Sequence, residues 1–434
     1  MKYAKVILCV LLICVMLSGC SFRMASSIDD LISPISPLGD NADIQSAMDS
    51  YAKNGYSLKT PNDGDYISSY NFYDIDGDSQ DEAFAFYEPS DNLGTIDMAV
   101  IKKIDGKWQV VDNINGDGKD IHSIAFNDVT GDKKDDILIC WDVISNSSNH
   151  ELSVYQYDEK DNSISLKRID NSITVNNFIC VDIDENGVDE LLLFEINTGN
   201  SSSAKSELYS LKDNKFKLLG ETKLDSHITA YSKLRIEKAE NDVRIYADAI
   251  GSDGSSMLTE VIYWSNGYDT IISPFYSYST GRTKDTSRSA MIESRDINDD
   301  GLIEIPTDKN LSKLPSEVCA VDWKIYKKTT LIHTDYSLLV KNDGYFVIVP
   351  DNYINNIRVK YNSDKRLMTV YDKSGKRKIF EIMPVLKATY SDSNYGGYDI
   401  VKENSGYYYL AKCSKDTDIK ITIDDLKNYI KSID

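Results

Sequence analysis

The sequence predicts a mainly β protein built from repeated antiparallel units and followed by a small α+β domain. Two observations predict this fold class. An Asp-rich loop motif recurs four times, and short apolar segments of strand-like character fill the intervals between its copies. Hydrophobic residues make up 41% and charged residues 27% of the 434-residue chain, which suits a globular protein of two or three domains.

The copies of the acidic motif are regularly spaced. They begin at Asp74, Asp128, Asp182 and Asp296, so the intervals are 54, 54 and 114 residues. The last interval equals two units of 57 residues, which indicates that one unit in between has lost its motif. We expect the remnant of the lost loop near Asp248, in the stretch YADAIGSDGSSMLTEVIYW.

Each unit contains four strand-like segments. After the first loop these are AFAFY, IDMAVIK and WQVV, and HSIAFND then leads into the second loop. The unit that lacks the motif keeps its strand-like segments around an Asn266-Gly267 turn. Four strands in about 50 residues is the size of a β-propeller blade. We therefore predict a β-propeller of four-stranded blades over residues 51–334, with five countable units and up to seven if degenerate blades are included.

The alternation of oxygen-bearing side chains within the motif predicts calcium binding. Calcium takes about six to eight oxygen ligands in flexible geometry. In a tight loop, side chains at positions 1, 3, 5 and 9 can converge on one ion, and glycine at position 6 allows the chain to turn sharply. The predicted ligands are, loop by loop, Asp74, Asp76, Asp78 and Glu82; Asp128, Thr130, Asp132 and Asp136; Asp182, Asp184, Asn186 and Glu190; and Asp296, Asn298, Asp300 and Glu304.

The four loops do not match this pattern equally well. Ser79 replaces the glycine of the first loop, while Thr130 and Lys133 weaken the second loop most. An EF-hand is excluded because position 12 is never Glu and the flanking segments are strand-like. For any single loop, the alternative is an Asp-rich turn closed by its own side-chain to backbone hydrogen bonds.

The four loops resemble the FG-GAP/VCBS-type repeats of integrin α-chain propellers and of bacterial surface proteins. The shared pattern is D-x-[DN]-x-[DN]-G-x-x-[DE] followed by apolar residues, and the resemblance covers about residues 50–330. It implies a propeller with one structural calcium ion in each loop that carries the motif. Position 9 is Glu in three loops, where the family usually has Asp, so the details of coordination can differ.

The N-terminus predicts export and lipid attachment. Two lysines precede an apolar run from Val6 to Leu17, which is short for a membrane span. The run ends in LSGC and resembles the lipobox of a bacterial lipoprotein signal peptide. The resemblance implies a signal peptide over residues 1–19 and a lipid on Cys20, which would hold the protein on the extracytoplasmic side of the cell membrane. An ordinary signal peptide and an uncleaved anchor are the alternatives.

Two further segments complete the predicted organisation. Residues 20–50, with several Ser, Asp and Pro, are expected to form a flexible tether. Beyond the repeats, residues 335–434 are expected to form the small α+β domain, with a terminal helix in TIDDLKNYIKSI capped by Thr422.

Cysteine and histidine usage gives little sign of a zinc site. Four cysteines remain after Cys20, and they lie far apart without a CxxC pair. We expect Cys140 and Cys180 to be buried thiols within strands, because both lie in apolar segments. The four histidines are also scattered along the sequence.

Charge and motifs favour a binding protein over an enzyme. The net charge of −21 disfavours nucleic acid as a partner. The sequence contains no HExxH, GxSxG, P-loop or dinucleotide fingerprint. We therefore expect a non-catalytic lipoprotein that binds an extracellular protein or a glycan. The alternative is a carbohydrate-active hydrolase or lyase built on a propeller, because glycoside hydrolysis needs only two well-placed carboxyl groups.

Overall fold

A computed structural model describes residues 39–144, 148–160, 163–196, 204–239, 242–415 and 417–433. The described residues are mainly β, which confirms the predicted class. Their helices are short: α1 (Asp40–Tyr51), α2 (Asp351–Ile354) and α3 (Ile423–Tyr429). The predicted signal peptide and the predicted lipid-bearing Cys20 lie outside the described residues.

The first four sheets are antiparallel and follow one another along the chain. In the first sheet the order is β1-β3-β4-β5, and β2 also pairs with β3; each of the next three sheets has its four strands in sequence order. The strands are β1 (Tyr56–Lys59), β2 (Asn71–Tyr73), β3 (Glu82–Pro89), β4 (Asp97–Ile104) and β5 (Lys107–Asn115); β6 (Asp120–Asn127), β7 (Asp136–Asp142), β8 (His150–Lys160) and β9 (Ser163–Val175); β10 (Asn177–Val181), β11 (Glu190–Glu195), β12 (Lys205–Lys212) and β13 (Lys215–Lys223); and β14 (Ile228–Ala239), β15 (Asp242–Gly251), β16 (Met257–Ser265) and β17 (Thr270–Ile272).

A two-stranded ribbon separates these sheets from two more. The fifth sheet runs β20-β21-β22-β23-β29, and the sixth runs β24-β25-β26-β28-β27. The strands are β18 (Tyr276–Ser277) and β19 (Arg282–Thr283) in the ribbon; β20 (Glu304–Lys309), β21 (Val318–Lys327), β22 (Thr330–Val340) and β23 (Tyr345–Val349); β24 (Ile357–Asn362), β25 (Leu367–Asp372), β26 (Lys378–Leu386), β27 (Asp399–Glu403) and β28 (Tyr407–Cys413); and β29 (Ile430–Ser432).

The hydrophobic core lies between consecutive sheets. Phe86 of the first sheet packs against Trp141 of the second, with ring centroids 5.9 Å apart. Similar layers join the second sheet to the third, the third to the fourth, the fourth to the fifth and the fifth to the sixth. The opposite face of the first sheet is covered by α1. In a closed propeller ring the last blade would cover that face, so the ring itself stays a prediction.

Helix α1 corrects the predicted extent of the tether. The tether was expected to reach residue 50, but the chain is helical from Asp40. Ile44 and Met48 lie four residues apart and therefore share one face of the helix. Both side chains are fully buried against the first sheet, so residues 40–50 belong to the folded part of the protein.

The predicted domain boundary at residue 335 is also wrong. Residue 335 lies inside β22, and the fifth sheet contains strands from both sides of the boundary. Thr422 does cap α3, and its side chain forms a capping box with Asp425. The helix ends at Tyr429, however, because Ile430 pairs with Val347 of β23 and starts a strand.

The fourth sheet shows why one copy of the motif is missing. Strand β14 ends at Ala239 and β15 begins at Asp242, so at most two residues stand where the other sheets have the acidic loop. Asp248, the expected remnant, is instead a fully buried residue within β15. Its carboxylate is 2.8 Å from the guanidinium of Arg288, which is also fully buried. Asp248 therefore belongs to a buried ion pair, and the predicted position of the lost loop is wrong.

Candidate metal-binding loops

The acidic loops occupy equivalent places in their sheets. The first three join β2 to β3, β6 to β7 and β10 to β11, and the fourth lies between Arg295 and β20, where Arg295 and Glu304 form an isolated bridge. Neighbouring loops also touch. The Tyr73 hydroxyl donates to Asp135, and Asn127 donates to Asp189 at 3.0 Å. The first three loops therefore lie side by side along one edge of the stack.

One hydrogen-bond framework recurs in all four loops. The aspartate at position 1 accepts backbone N–H groups from positions 5 and 6; for Asp182 the donors are Asn186 and Gly187, each at 2.9 Å. The acid at position 9 accepts the N–H of position 2, as Glu190 does from Ile183 at 3.2 Å. The same two contacts hold the first, second and fourth loops. These bonds are the ones expected of an Asp-rich turn, and the position-1 oxygen that accepts the N–H of position 6 keeps a second lone pair with which it could also bind a cation.

Each loop needs two residues in left-handed conformation, at positions 4 and 6. In the first two loops glycine takes position 4, and Ser79 and Lys133 at position 6 have φ of 67° and 69°. In the last two loops glycine takes position 6, and Glu185 and Asp299 at position 4 have φ of 59° and 64°. Ser79 and Lys133 therefore do not remove the turn, because the glycine of these loops has moved to the other left-handed position.

Carboxylate oxygens converge most closely in two of the loops. In the first, one oxygen from each of Asp74, Asp76 and Asp78 lies within 4.8 Å of the others. In the third, the same holds for Asp182, Asp184 and Glu190. The second and fourth loops have Thr130 and Asn298 at position 3, so a neutral oxygen replaces the second carboxylate there.

The position-9 acids are the buried ends of these loops. Burial, with repulsion from acids of the same loop, raises the pKa of Glu82, Asp136, Glu190 and Glu304 to about 7. In Glu190 and Glu304, one carboxylate oxygen also accepts a hydrogen bond from the side-chain amide of an asparagine in the same loop. Asn186 donates to Glu190 at 3.0 Å, and Asn298 donates to Glu304 at 3.2 Å. Each loop thus contains a buried acid, and a positively charged partner would stabilise its ionised form.

In the first loop that positive partner is Lys102, which the sequence analysis missed. Its ammonium nitrogen contacts Asp76 and lies 3.4 Å from Asp78 and 3.5 Å from Glu82. Although burial opposes the charge, the contact with Asp76 and the neighbouring acids raise the pKa of Lys102. The ammonium therefore neutralises three of the four carboxylates that were expected to bind calcium in this loop.

Strand register identifies the equivalents of Lys102 in the other loops. Lys102 follows Ile101, the partner of the residue at position 10, Ala83. The equivalent pairs in the other loops are Ile137 with Tyr155, Leu191 with Tyr209 and Ile305 with Lys324. The residues that follow these partners are Gln156, Ser210 and Ile325. None of the three carries a charge, so the first loop alone has a lysine at this position.

The donor atoms of the third loop fit calcium well, because all of them are oxygens and two come from aspartates and one from a glutamate. In the third and fourth loops the Asn186 and Asn298 amides point their nitrogens at the position-9 glutamate, so each would present its oxygen to an ion after a half-turn. The second loop fits less well, since Gln156 donates to Asp132 at 3.0 Å and two lysines, Lys133 and Lys134, lie within the loop. In the first loop Lys102 competes directly with any ion.

The predicted buried thiols are confirmed, and the tryptophans differ in exposure. Cys140 and Cys180 are buried free thiols in β7 and β10, as predicted. Trp141 and Trp323 are fully buried and cannot stack on a sugar. Trp108 is partly exposed and lines a groove between α1 and β5 with a volume of about 550 Å³.

Comparisons with known proteins add little. Comparison with protein-family profiles and with curated proteins gave no match. Among solved structures, the chain has weak similarity to the X-ray structure of a hypothetical selenium-binding protein from Sulfolobus tokodaii, with 12% identity and a TM-score of 0.32. The match covers 48% of this chain and 54% of that protein, so the chain spans about half of its length. Across the described residues, none of the helices has the length and apolar character needed to cross a bilayer.

Proposed function

We propose that the protein is a non-catalytic, calcium-stabilised lipoprotein, anchored through Cys20 on the extracytoplasmic side of a membrane, that binds an extracellular protein or glycan. The observation that carries the calcium part is the shared framework of the four loops. In each, the aspartate at position 1 and the buried acid at position 9 accept backbone N–H groups of the same loop, and in the first and third loops three carboxylate oxygens lie within 4.8 Å of one another. A bound cation would remove the repulsion within this oxygen cluster.

The loops differ in how strongly they favour calcium. We assign calcium to the second, third and fourth loops, with the second the weakest because of its lysines. The ligands are those predicted from the sequence: Asp128, Thr130, Asp132 and Asp136; Asp182, Asp184, Asn186 and Glu190; and Asp296, Asn298, Asp300 and Glu304. In the first loop, Asp76, Asp78 and Glu82 contact Lys102 instead, and Asp74 accepts backbone N–H groups that close the turn. Calcium would supply charge neutralisation in these loops and no chemistry of reaction.

The calcium assignment is tested by thermal unfolding of the purified protein in EDTA and in millimolar calcium. We expect calcium to raise the unfolding temperature, and we expect Asp182→Asn and Asp296→Asn each to reduce the rise. An unchanged unfolding temperature, with no calcium bound in titration calorimetry, would reduce the loops to Asp-rich turns.

The groove beside Trp108 is the best-supported place for a glycan. One wall is α1, with Asp43, Ser46 and Tyr51, and the other is β5, with Trp108 and Gln109. The partly exposed indole offers a flat apolar face, and the surrounding side chains offer hydrogen-bond partners, which is the combination that sugars need. A glycan array with the wild type and Trp108→Ala tests this assignment, and the same signal from both proteins would exclude the groove.

The anchor is tested separately. Wild-type protein and a Cys20→Ser variant are produced in cells supplied with labelled palmitate. We expect label and membrane association for the wild type and neither for the variant. Equal partition of the two proteins into the membrane fraction would contradict lipid attachment at Cys20.

A further inference from the structure

The second sheet brings together two histidines that the sequence separates by 28 residues. His150 begins β8 and is buried, and His122 lies on β6. Between these strands, β7 ends at Asp142. His122 stands at a β-bulge, since the register between β6 and β7 shifts between Ile121 and Ser123. A bulge redirects a side chain, and here it places His122 beside His150.

The three side chains form a compact group of metal-binding atoms. One donor atom from each of His122, Asp142 and His150 lies within 4.8 Å of the others. His150 Nδ1 is 2.5 Å from Asp142 Oδ1. The two imidazole rings are stacked, with centroids 3.8 Å apart and an angle of 12° between their planes. The group therefore combines two nitrogen donors with one oxygen donor within a small space.

A second layer of contacts holds the group in place. Asn62 donates to the other carboxylate oxygen of Asp142 at 3.3 Å. The backbone N–H groups of Asn62 and Asp63 donate to the carbonyl of His122 at 3.0 and 2.8 Å. Contacts of this kind orient ligands in protein metal sites. The Asp63 carboxylate lies 3.8 Å from His122 Nε2 and offers a further oxygen donor beside the histidines.

The group is open to solvent on one side. His122 and Asp63 line a cavity of about 310 Å³ between the loop at residues 63–66, β6 and β10. His150 and Asp142 lie deeper in the sheet, with 8% and 16% of their side-chain surfaces exposed. An ion could therefore enter past His122 and Asp63 and reach the other two ligands.

We propose that His122, Asp142 and His150 bind a divalent transition metal of the Zn²⁺ type, with Asp63 as a candidate for a fourth ligand. Two imidazoles and a carboxylate suit zinc and its neighbours in the first transition series, whereas calcium and magnesium prefer oxygen ligands alone. An ion bound by all three side chains would replace the hydrogen bond between His150 Nδ1 and Asp142 Oδ1. The site is chemically distinct from the acidic loops and does not rest on their binding calcium.

The test uses Co²⁺ and Zn²⁺ as probes in the presence of excess calcium. The calcium competes with the probes for the acidic loops, so that these loops do not add to the signal. Purified wild-type protein is titrated with Co²⁺ and followed by visible absorption, and Zn²⁺ is then added to displace it. We expect one equivalent of Co²⁺ with nitrogen ligation and full displacement by one equivalent of Zn²⁺. We expect His122→Gln and Asp142→Asn each to weaken binding by about tenfold or more.

His333→Gln is the matched control. His333 also has its Nδ1 2.5 Å from a carboxylate, that of Asp322, but it has no second histidine beside it. We expect this variant to bind Co²⁺ like the wild type. Absence of a one-equivalent site in the wild type, unchanged affinity in His122→Gln, or an equal loss in His333→Gln would overturn the proposal. His122 is partly exposed, so its variant gives a decisive result even if a change at buried His150 prevents folding.

Discussion

The first and third acidic loops share one framework, but only the first has a lysine ammonium among its carboxylates. In both, the position-1 aspartate accepts the same backbone N–H groups, and the position-9 glutamate is buried with its pKa raised to about 7. The first loop contains the ammonium of Lys102, and the third has Ser210 at the equivalent position. The motif gathers carboxylates that a positive charge would stabilise. The residue on the next strand, Lys102 in β4 or Ser210 in β12, determines whether the protein itself supplies that charge.

The largest expected effect is that of Lys102→Ser, which gives the first loop the residue of the third. In EDTA we expect a loss of about 3 kcal/mol in the free energy of unfolding, because three carboxylates lose a largely buried partner. Millimolar calcium should restore much of this loss. Chemical denaturation with and without calcium measures both quantities.

Lys103→Ser is the control for this variant. Lys103 is the next residue of β4 but is paired with the exposed Asp40 at 3.1 Å. We expect it to change the free energy of unfolding by less than about 1 kcal/mol, as is usual for surface pairs, with or without calcium. Equal effects of the two substitutions would contradict the special role of Lys102.

The reverse exchange, Ser210→Lys, should give the third loop the behaviour of the first. A lysine at this position would compete with calcium for Asp184 and Glu190. At a calcium concentration ten times the dissociation constant, one site contributes about 1.4 kcal/mol, and we expect the variant to lose this contribution. Ser210→Thr, which adds no charge, should keep it. The measurement is the calcium-dependent shift in unfolding, and a full shift in the lysine variant would show that the position is not equivalent.

A smaller contrast is expected between Asp182→Asn and Asp74→Asn. Both substitutions remove one charge from position 1 and keep one oxygen. We expect Asp182→Asn to lower the calcium-dependent stabilisation by about 1 kcal/mol. Asp74→Asn should leave that stabilisation almost unchanged, because Lys102 already serves the first loop. The same loss in both variants, in parallel calcium titrations of unfolding, would mean that the first loop also binds calcium.

The smallest effects concern the left-handed positions. Gly77 and Gly187 have φ of 75° and 90° and no atom that would clash with an added Cβ. We expect each Gly→Ala change to cost about 1 kcal/mol through backbone strain alone, although the two glycines occupy different motif positions. Gly267→Ala is the control, because Gly267 has equal space but no positive φ. A similar cost at Gly267 would mean that the loss does not come from the left-handed conformation.

The sequence was a good guide where the determinants are local. The acidic loops, most strands and the Thr422 cap depend on residues a few positions apart, so their patterns were readable. It failed where distant residues decide. Lys102 becomes part of the first loop only through the pairing of β3 with β4, and Ile430 becomes a strand residue only through β23.

The same reasoning explains the other errors. In the sequence Asp248 resembled an acid of the loop motif. In the structure it is the partner of the buried Arg288, 40 residues further along the chain. His122 and His150 are far apart in the sequence and looked unrelated. The pairing of β6, β7 and β8 and the bulge beside His122 bring them together in the fold. Helix α1 was assigned to the tether because Ile44 and Met48 are its only fully buried residues, which is a weak apolar stripe.

The most direct measurement is the number of calcium ions bound per molecule, by equilibrium dialysis of the wild type and Lys102→Ser at millimolar calcium. We predict three ions in the wild type, from the second, third and fourth loops, and four in Lys102→Ser. No bound calcium in the wild type, or the same number in both proteins, would contradict the proposal that these loops are cation sites in which Lys102 replaces the ion.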